Sequence, residues 1–104
     1  MHVADILRTK GTAVVTIRPD ITIDHLAQRL RAERIGAAIV SESGTSVDGI
    51  ISERDIVRAL AEHGTHTVAM TVAELMTKAV VTCAPDDTIS HVAKLMTNRR
   101  IRHV

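Results

Sequence analysis

The chain has 104 residues, of which 45% are apolar and 24% are charged, and its formal net charge is +1. This length suits one small domain, and the balanced charge and lack of a long apolar run argue against a nucleic-acid or membrane partner. Phe, Tyr and Trp are absent, so a bound base would have to rest on aliphatic side chains instead of an aromatic platform. We therefore expect a soluble domain with an aliphatic core.

The first predicted elements are a short helical segment, a strand and a helix. Val3–Leu7 is the helical segment, and the β-branched run Ala13–Ile17, stopped by Pro19–Asp20, predicts a buried strand and a turn. Thr22 is the expected N-cap of the next helix, which Gly36 should end. One face of that helix is apolar and consists of Ile23, Leu26, Ala27 and Leu30.

Two further strands and a second helix complete a structural unit. The strands are predicted over Ala37–Val40 and Gly49–Ile51, on either side of the turn-rich Ser41–Asp48. Ser52 should cap the helix and Gly64 should end it. Its predicted buried stripe consists of Ile56, Val57, Leu60 and Ala61. The order strand, helix, strand, strand, helix predicts an α+β fold.

The sequence then repeats itself, with a period of 66 residues. The first copy contains the repeated segments Ala13–Thr16, Pro19–Asp20, Thr22–Ile23, His25 and Ala27. The second copy contains their equivalents, which are Ala79–Thr82, Pro85–Asp86, Thr88–Ile89, His91 and Ala93. The helix of the second copy keeps an apolar stripe of Ile89, Val92, Ala93 and Met96. We therefore divide the chain into a complete unit over residues 1–64, a linker over 65–70 and the N-terminal half of a second unit over 71–104.

The boundaries of the second copy are also visible in the sequence. The capping-box spacing of Thr71 and Glu74 predicts a short helix through Met76 that opens it. It stops at Val104, where the first copy is entering its second strand, and such a half-built strand would leave backbone groups unpaired. We expect the sequence to be a piece of a longer chain.

The segment Gly49–Ile56 combines a strand, a turn and a helix N-terminus, with Ser52 and Asp55 three residues apart. Taken alone, Ser-x-x-Asp is the spacing of a capping box, in which both side chains satisfy backbone N–H groups. A carboxylate at a strand-to-helix junction can instead accept the two hydroxyls of a ribose, and the helix N-terminus favours phosphate. The sequence leaves both roles open, and one carboxylate oxygen cannot fill both.

This pattern within a tandem βαββα repeat resembles the CBS domain, named for cystathionine β-synthase, and the resemblance covers the whole chain. It implies a Bateman module, in which the sheets of two motifs pack about a pseudo-twofold axis and the helices lie on the outer faces. Such a module is a regulatory sensor of AMP, ADP, ATP or NAD(H), without a catalytic cofactor. The resemblance also implies a homodimer that acts on a partner protein of unknown identity.

The resemblance implies a ligand site and part of a mirror site. The ribose would be held by Ser52 and Asp55. The base would contact Thr82, Cys83, Ala84 and Ile101, and the phosphate would contact Arg102 and His103. The mirror site would use Thr16, Ile17, Arg18, Ile35, Gly36 and Ala37. Its own Ser or Thr and Asp would lie beyond Val104, so the mirror site is incomplete in this sequence.

Two alternatives to ligand sensing stay open. In a purely structural dimerisation module, Ser52 and Asp55 would serve only as a helix cap. A catalytic protein would use Cys83 or the histidines. The sequence has no acid–base pair, Gly-rich phosphate loop or nucleophile elbow, so we expect no enzyme activity. Because Cys83 lies in a predicted buried strand, we expect its thiol to be unreactive. Because it has no disulfide partner in the chain, we expect a cytoplasmic location.

Other polar residues have simpler explanations. Arg99 and Arg100 at the end of the last helix match a solvated cap that complements the helix dipole. His63, His66 and Glu62 have a spacing that a metal could use, but Gly64 interrupts the helix between the two histidines. We therefore expect no metal site.

Overall fold

The structure is a computed structural model that describes residues 1–10, 14–99 and 103–104. Two compact units are present, one formed by Val14–Ala79 and the other by Met1–Ala13 with Val80–Val104. The helices and strands in chain order are α1 (Val3–Lys10), β1 (Thr16–Ile17), α2 (Ile23–Glu33), β2 (Ala37–Val40), β3 (Gly49–Ser52), α3 (Glu53–His63), a 3-10 helix (Gly64–Ala69), α4 (Val72–Leu75) and α5 (Ile89–Arg99). The combination of helices with a small three-stranded sheet confirms the α+β class.

The sheet lies in the Val14–Ala79 unit and has the strand order β1-β2-β3. β1 runs parallel to β2, with Thr16 opposite Ile39. β2 and β3 are antiparallel, with Ala37 opposite Ser52. All three strands were predicted from the sequence, but β1 is shorter than predicted, and Ala13 lies outside the described residues.

The core of this unit forms between the sheet and α2. β2 contributes every second residue, as a half-buried strand must, and α2 contributes residues at helical spacing. The buried core residues are Ile17, Ile23, Leu26, Leu30, Ala38, Val40, Ile51 and Val72. The predicted stripe of α2 is therefore confirmed except at Ala27, which is exposed because the buried face follows Ile23, Leu26 and Leu30.

The predicted buried stripe of α3 is wrong in most of its residues. Val57 is 64% exposed and Leu60 is 46% exposed, and Ala61 is exposed too. α3 instead buries Ala59 and half-buries Ile56, which packs against the core. The buried face of α3 is therefore narrower than its sequence predicts. Ile56 and Ala59, three residues apart, lie on the inward side, and Val57 and Leu60 lie next to them on the side that faces away from the core.

α2 ends earlier than predicted, and Arg34 rather than Gly36 is its left-handed terminal residue. Arg34 has φ 56° and ψ 46°, its N–H donates to the Arg31 carbonyl at 3.2 Å, and the Ile35 N–H donates to the Leu30 carbonyl at 3.0 Å. These two bonds form a Schellman motif, whose left-handed position is usually glycine. The backbone turn here is thus made by a residue with a Cβ.

The second compact unit joins α1 to the segment before α5. The N–H of Val3 donates to the Asp87 carbonyl at 2.9 Å, and that of Ala4 donates to the Pro85 carbonyl at 2.8 Å. Thr88 accepts a hydrogen bond from the His91 N–H at 3.2 Å, matching the contact of Thr22 with the His25 N–H in the first copy. The two helix starts therefore repeat in structure as they do in sequence.

The buried strand predicted to include Cys83, after the repeated run Ala79–Thr82, is not present, and residues 80–84 are irregular. This segment has no strand partner within the described residues, and Cys83 is half-buried rather than buried. In the first copy, β1 is held by β2, and none of the described residues takes that place beside the second copy's run. A strand requires a hydrogen-bonded neighbour, so the same sequence pattern gives a strand in the first copy only.

Candidate functional site

Ser52 and Asp55 lie where β3 passes into α3. Ser52 is the N-cap, with extended φ −129° and ψ 166°, and α3 begins at Glu53. Asp55 Oδ2 accepts the backbone N–H of Ser52 at 2.8 Å and the Ser52 hydroxyl at 3.1 Å. The carboxylate therefore satisfies one of the backbone donors that every helix start leaves free. The capping role predicted for this pair is present.

That cap uses only one carboxylate oxygen. Among the described residues, no hydrogen bond reaches Asp55 Oδ1, and both side chains are half-buried. An ionised carboxylate can accept on each of its oxygens, and a hydroxyl that donates can still accept. The cap and a ligand contact thus compete for Oδ2 but not for Oδ1, so the two roles are compatible.

Part of the predicted mirror site lies beside this turn. Ala37 pairs with Ser52 across the sheet, and the Gly36 carbonyl accepts the Glu53 N–H at 2.9 Å. Ile35 precedes them at the end of the Schellman turn. These three residues, at the N-terminal end of β2, are brought to the Ser52 turn by strand pairing.

The other part of the mirror site lies toward the opposite end of β2. Ile17 pairs with Val40, the last residue of that strand. Arg18 donates through Nη1 to the Glu42 carbonyl at 3.1 Å and through Nε to Asp20 Oδ1 at 3.2 Å. Thr16 pairs with Ile39. The guanidinium of Arg18 therefore already has two partners in the hairpin and the turn.

The remaining predicted contacts belong to the other compact unit. Thr82 is exposed, Cys83 and Ala84 are half-buried, and His103 is exposed. The Ala84 N–H donates to Asp87 Oδ2 at 2.7 Å, which fixes the turn that follows Cys83. Ile101 and Arg102 lie outside the described residues, so the structure describes part of this set only.

The structure contains a groove between α2 and α3 that was not predicted from the sequence. Its volume is about 520 Å³, with Leu30, Ile35 and Ile56 among its apolar lining residues and Arg31, Arg34 and Glu53 as its charged ones. Neither Ser52 nor Asp55 lines it. One signal in the sequence could have drawn attention to it, because Arg34 recurs in register as Arg100.

The described residues were compared with the requirements of a metal site and of a membrane-spanning helix. Among them, no three His, Cys, Asp or Glu side chains converge as metal ligands, although His63 Nε2 lies 3.6 Å from Glu62 Oε2. Across the same residues, none of the helices combines the length and apolar character needed to cross a bilayer.

Comparison with known proteins places this arrangement in a family. A protein of 17.7 kDa from the bps2 3′ region of Acidianus ambivalens is 31% identical over 93 residues, which are 89% of this chain and 55% of that protein. The crystal structure of the CBS-domain containing protein ATU1752 from Agrobacterium tumefaciens is similar with a TM-score of 0.96 and 41% identity, covering 99% of this chain and 82% of that one. This chain spans about half the length of the curated relatives that it matches.

A second similar structure holds ligands. It is the CBS domain pair of protein MJ0100 in complex with 5′-methylthioadenosine and S-adenosyl-L-methionine, at 30% identity and a TM-score of 0.84, covering 97% of this chain and 75% of that one. The family model described as the CBS domain matches residues 3–62 and 72–104, which include both copies of the repeat. The resemblance seen in the sequence is thereby confirmed, and this chain belongs to the CBS-domain family.

Proposed function

We propose that this chain is a regulatory CBS module that binds an adenosine-containing ligand through the Ser52–Asp55 turn. The observation that carries the proposal is the geometry of Asp55, whose Oδ2 is held by the Ser52 N–H at 2.8 Å while Oδ1 accepts no hydrogen bond from the described residues. A carboxylate fixed at a strand-to-helix junction in this way is suited to accept ribose hydroxyls. AMP, ADP, ATP and NAD(H) all carry that ribose.

The surrounding chemistry supports the same ligand class. α3 has 11 residues, so its N-terminus carries a partial positive charge that favours a phosphate near Glu53. The MJ0100 domain pair, which is similar in fold and 30% identical, binds two adenosine-containing molecules. The proposed site also includes residues that contact the base, which are Thr82, Cys83, Ala84 and Ile101, and residues that contact the phosphate, which are Arg102 and His103. The proposed mirror site consists of Thr16, Ile17, Arg18, Ile35, Gly36 and Ala37.

A thermal-shift panel with AMP, ADP, ATP, NAD, NADH and S-adenosylmethionine, followed by calorimetry on each positive compound, tests the proposal. A ligand that binds only the folded state raises Tm, because it stabilises that state by RT ln(1 + L/Kd), where L is the free ligand concentration. Asp55→Ala should abolish that shift. It should also cost about 1 kcal/mol of folding stability, because it removes a cap.

The chain offers a matched control for the lost cap. Glu74 Oε2 accepts the Thr71 N–H at 3.1 Å in a second capping box of the same compact unit. Glu74→Ala should cost a similar amount of stability and leave ligand affinity unchanged. If Asp55→Ala binds as tightly as the unmodified chain, or if none of the six compounds binds, the assignment is wrong.

A second candidate function is a structural dimerisation module, which the exposed apolar residues of α3 favour. Val57 and Leu60 are about one helical turn apart, and they are 64% and 46% exposed. A second copy of this chain would cover them, and Ser52 and Asp55 would act only as a cap. Light scattering after size exclusion should show a dimer that Leu60→Glu dissociates. Val47→Glu, at a residue in the hairpin that is 56% exposed, is the control and should leave the dimer intact.

We further infer that the module regulates a partner protein in the cytoplasm and has no catalytic activity of its own. The lone Cys83, for which the chain holds no disulfide partner, supports a reducing compartment. The proposal fails in this respect if the isolated chain itself converts any compound of the panel to a product, as judged by chromatography after incubation.

A further inference from the structure

The groove between α2 and α3 has a defined floor and two charged edges. Leu30 is buried, and Ile35 and Ile56 are half-buried and pack against the core. Arg31 and Arg34 come from the last turn of α2 and its cap, and Glu53 comes from the first residue of α3. With a volume of about 520 Å³, the groove lies within the range that small-molecule sites occupy.

Both arginines of the groove lack a carboxylate partner among the described residues. A guanidinium presents a planar set of N–H donors that matches a carboxylate in a two-pronged pairing. Unpaired arginines beside an apolar floor therefore offer an anion both a charge partner and a surface for its apolar part.

Arg34 is placed there against its own backbone preference. It holds φ 56° in a Schellman motif, where a residue with a Cβ is disfavoured relative to glycine. The sequence has arginine at the equivalent position of the second copy as well, Arg100. A residue that keeps a costly backbone conformation points to a role for its side chain.

The net charge of the groove favours a ligand with a single negative charge. Two arginines and one glutamate leave a net charge of +1, because the other lining residues are uncharged. The N-terminus of α3 opens at Glu53 and adds a partial positive charge. A carboxylate matches this balance better than a phosphate, which carries more negative charge.

We propose that the groove between α2 and α3 binds a small aliphatic carboxylate, with Arg31 and Arg34 pairing its head and Leu30, Ile35 and Ile56 contacting its chain. This site contains neither Ser52 nor Asp55, and it does not depend on the proposed function, although Ile35 and Gly36 also belong to the proposed mirror site.

Titration of the isotopically labelled chain with octanoate, followed by backbone amide NMR, tests the site. Octanoate should cause saturable shifts at the amides of Ile35, Gly36 and Glu53. Arg34→Gly should weaken binding by about tenfold or more, as expected for a lost hydrogen bond to a charged group. That variant relieves the left-handed backbone, so loss of binding cannot come from unfolding.

Three controls make the result specific. Arg58→Gln alters an exposed arginine of α3 that does not line the groove, and it should keep full affinity. Asp55→Ala should also keep it, which separates this site from the ribose site. Octylamine has the same chain and the opposite charge, and it should not bind.

The proposal is overturned if octanoate gives no saturable shifts, if Arg34→Gly binds it as well as the unmodified chain, or if octylamine binds equally. Arg31→Gln provides a second charge variant with an unchanged backbone. Its affinity should fall by a factor similar to that of Arg34→Gly, and an undiminished affinity would count against the proposed pairing.

Discussion

Ile50 and Thr77 exchange a pair of backbone hydrogen bonds, each 2.9 Å long, although 26 residues separate them. This bridge brings the segment after α4 back to the free edge of β3. It covers an edge that would otherwise leave backbone groups unpaired. The strand that ends in the Ser52 turn is thus paired on both sides, and the turn rests on a fixed strand.

Gly49 is required by this bridge, and Gly49→Ala should destabilise the fold. A Cβ at residue 49 would stand 2.8 Å from Met76 Sδ and 2.9 Å from the Thr77 carbonyl oxygen. Since the carbonyl cannot move without breaking the bridge, we expect a loss of about 1–3 kcal/mol in urea unfolding. Gly44→Asn should change stability little, because residue 44 has φ 85° with nothing within 4 Å and Asn tolerates left-handed backbone. Equal effects of the two variants would contradict this account.

Thr67→Val should stabilise the protein. Thr67 is fully buried under α2 and α3, and among the described residues its Oγ1 has no hydrogen-bond partner. Val has the same shape without the hydroxyl, so the variant removes a desolvation cost of about 1–3 kcal/mol. The free energy of unfolding should rise accordingly. Thr67→Ser keeps the hydroxyl and loses a methyl group, and it should be less stable than the unmodified chain. A lower midpoint for Thr67→Val would mean that the hydroxyl is bonded in solution.

Arg34→Gly should also stabilise the protein, by a different route. A left-handed residue with a Cβ costs about 1–2 kcal/mol, and part of the gain is offset because glycine makes the unfolded chain more flexible. We expect a net rise of roughly 0.5–1 kcal/mol in unfolding free energy. Arg34→Ala keeps the Cβ and should bring no such gain. A Tm for Arg34→Gly below that of Arg34→Ala would show that the left-handed turn is not present in solution.

Asp5 should make the second compact unit sensitive to acid. The backbone N–H of His2 donates to its Oδ2 at 2.8 Å, and this bond, helped by Arg8, holds the pKa of Asp5 below its usual value of 3.8. Because the folded pKa is the lower one, the contribution of Asp5 is present above the unfolded pKa and disappears as pH falls through the folded value. Carboxyl NMR titration should give a midpoint below 3.8. Asp5→Asn should remove the matching titration of the His2 amide, and a midpoint above 3.8 would contradict the lowered pKa.

Local signals in the sequence predicted most of the elements. Thr22, Ser52 and Thr71 were identified as helix caps, and all three begin helices. The side chain that caps a helix start and the backbone groups it satisfies lie within four residues, so short-range sequence is sufficient. The family could also be recognised, because its pattern around Ser52 and Asp55 is local and the repeat is visible along the chain.

The outward face of α3 and the missing strand around Cys83 could not be predicted in the same way. Val57 and Leu60 fit an apolar stripe equally well on the wheel, and only the position of α3 against its neighbours decides which side is buried. Likewise the apolar run of the second copy matches that of the first, but a strand forms only where another strand pairs with it.

The sequence by itself determined the helix caps, the core face of α2 and the pairing of Ser52 with Asp55, because each depends on residues close together in the chain. It also showed the repeat, because the two copies can be compared residue by residue. Only the tertiary structure decided that Asp55 caps through Oδ2 and keeps Oδ1 available, that Arg34 carries the left-handed turn, and that a charged groove opens between α2 and α3. The groove depends on contacts between segments far apart in the sequence. No local propensity encodes such contacts. The Asp55 contact and the Arg34 turn are local, but they are matters of atom position and backbone conformation that residue type does not specify.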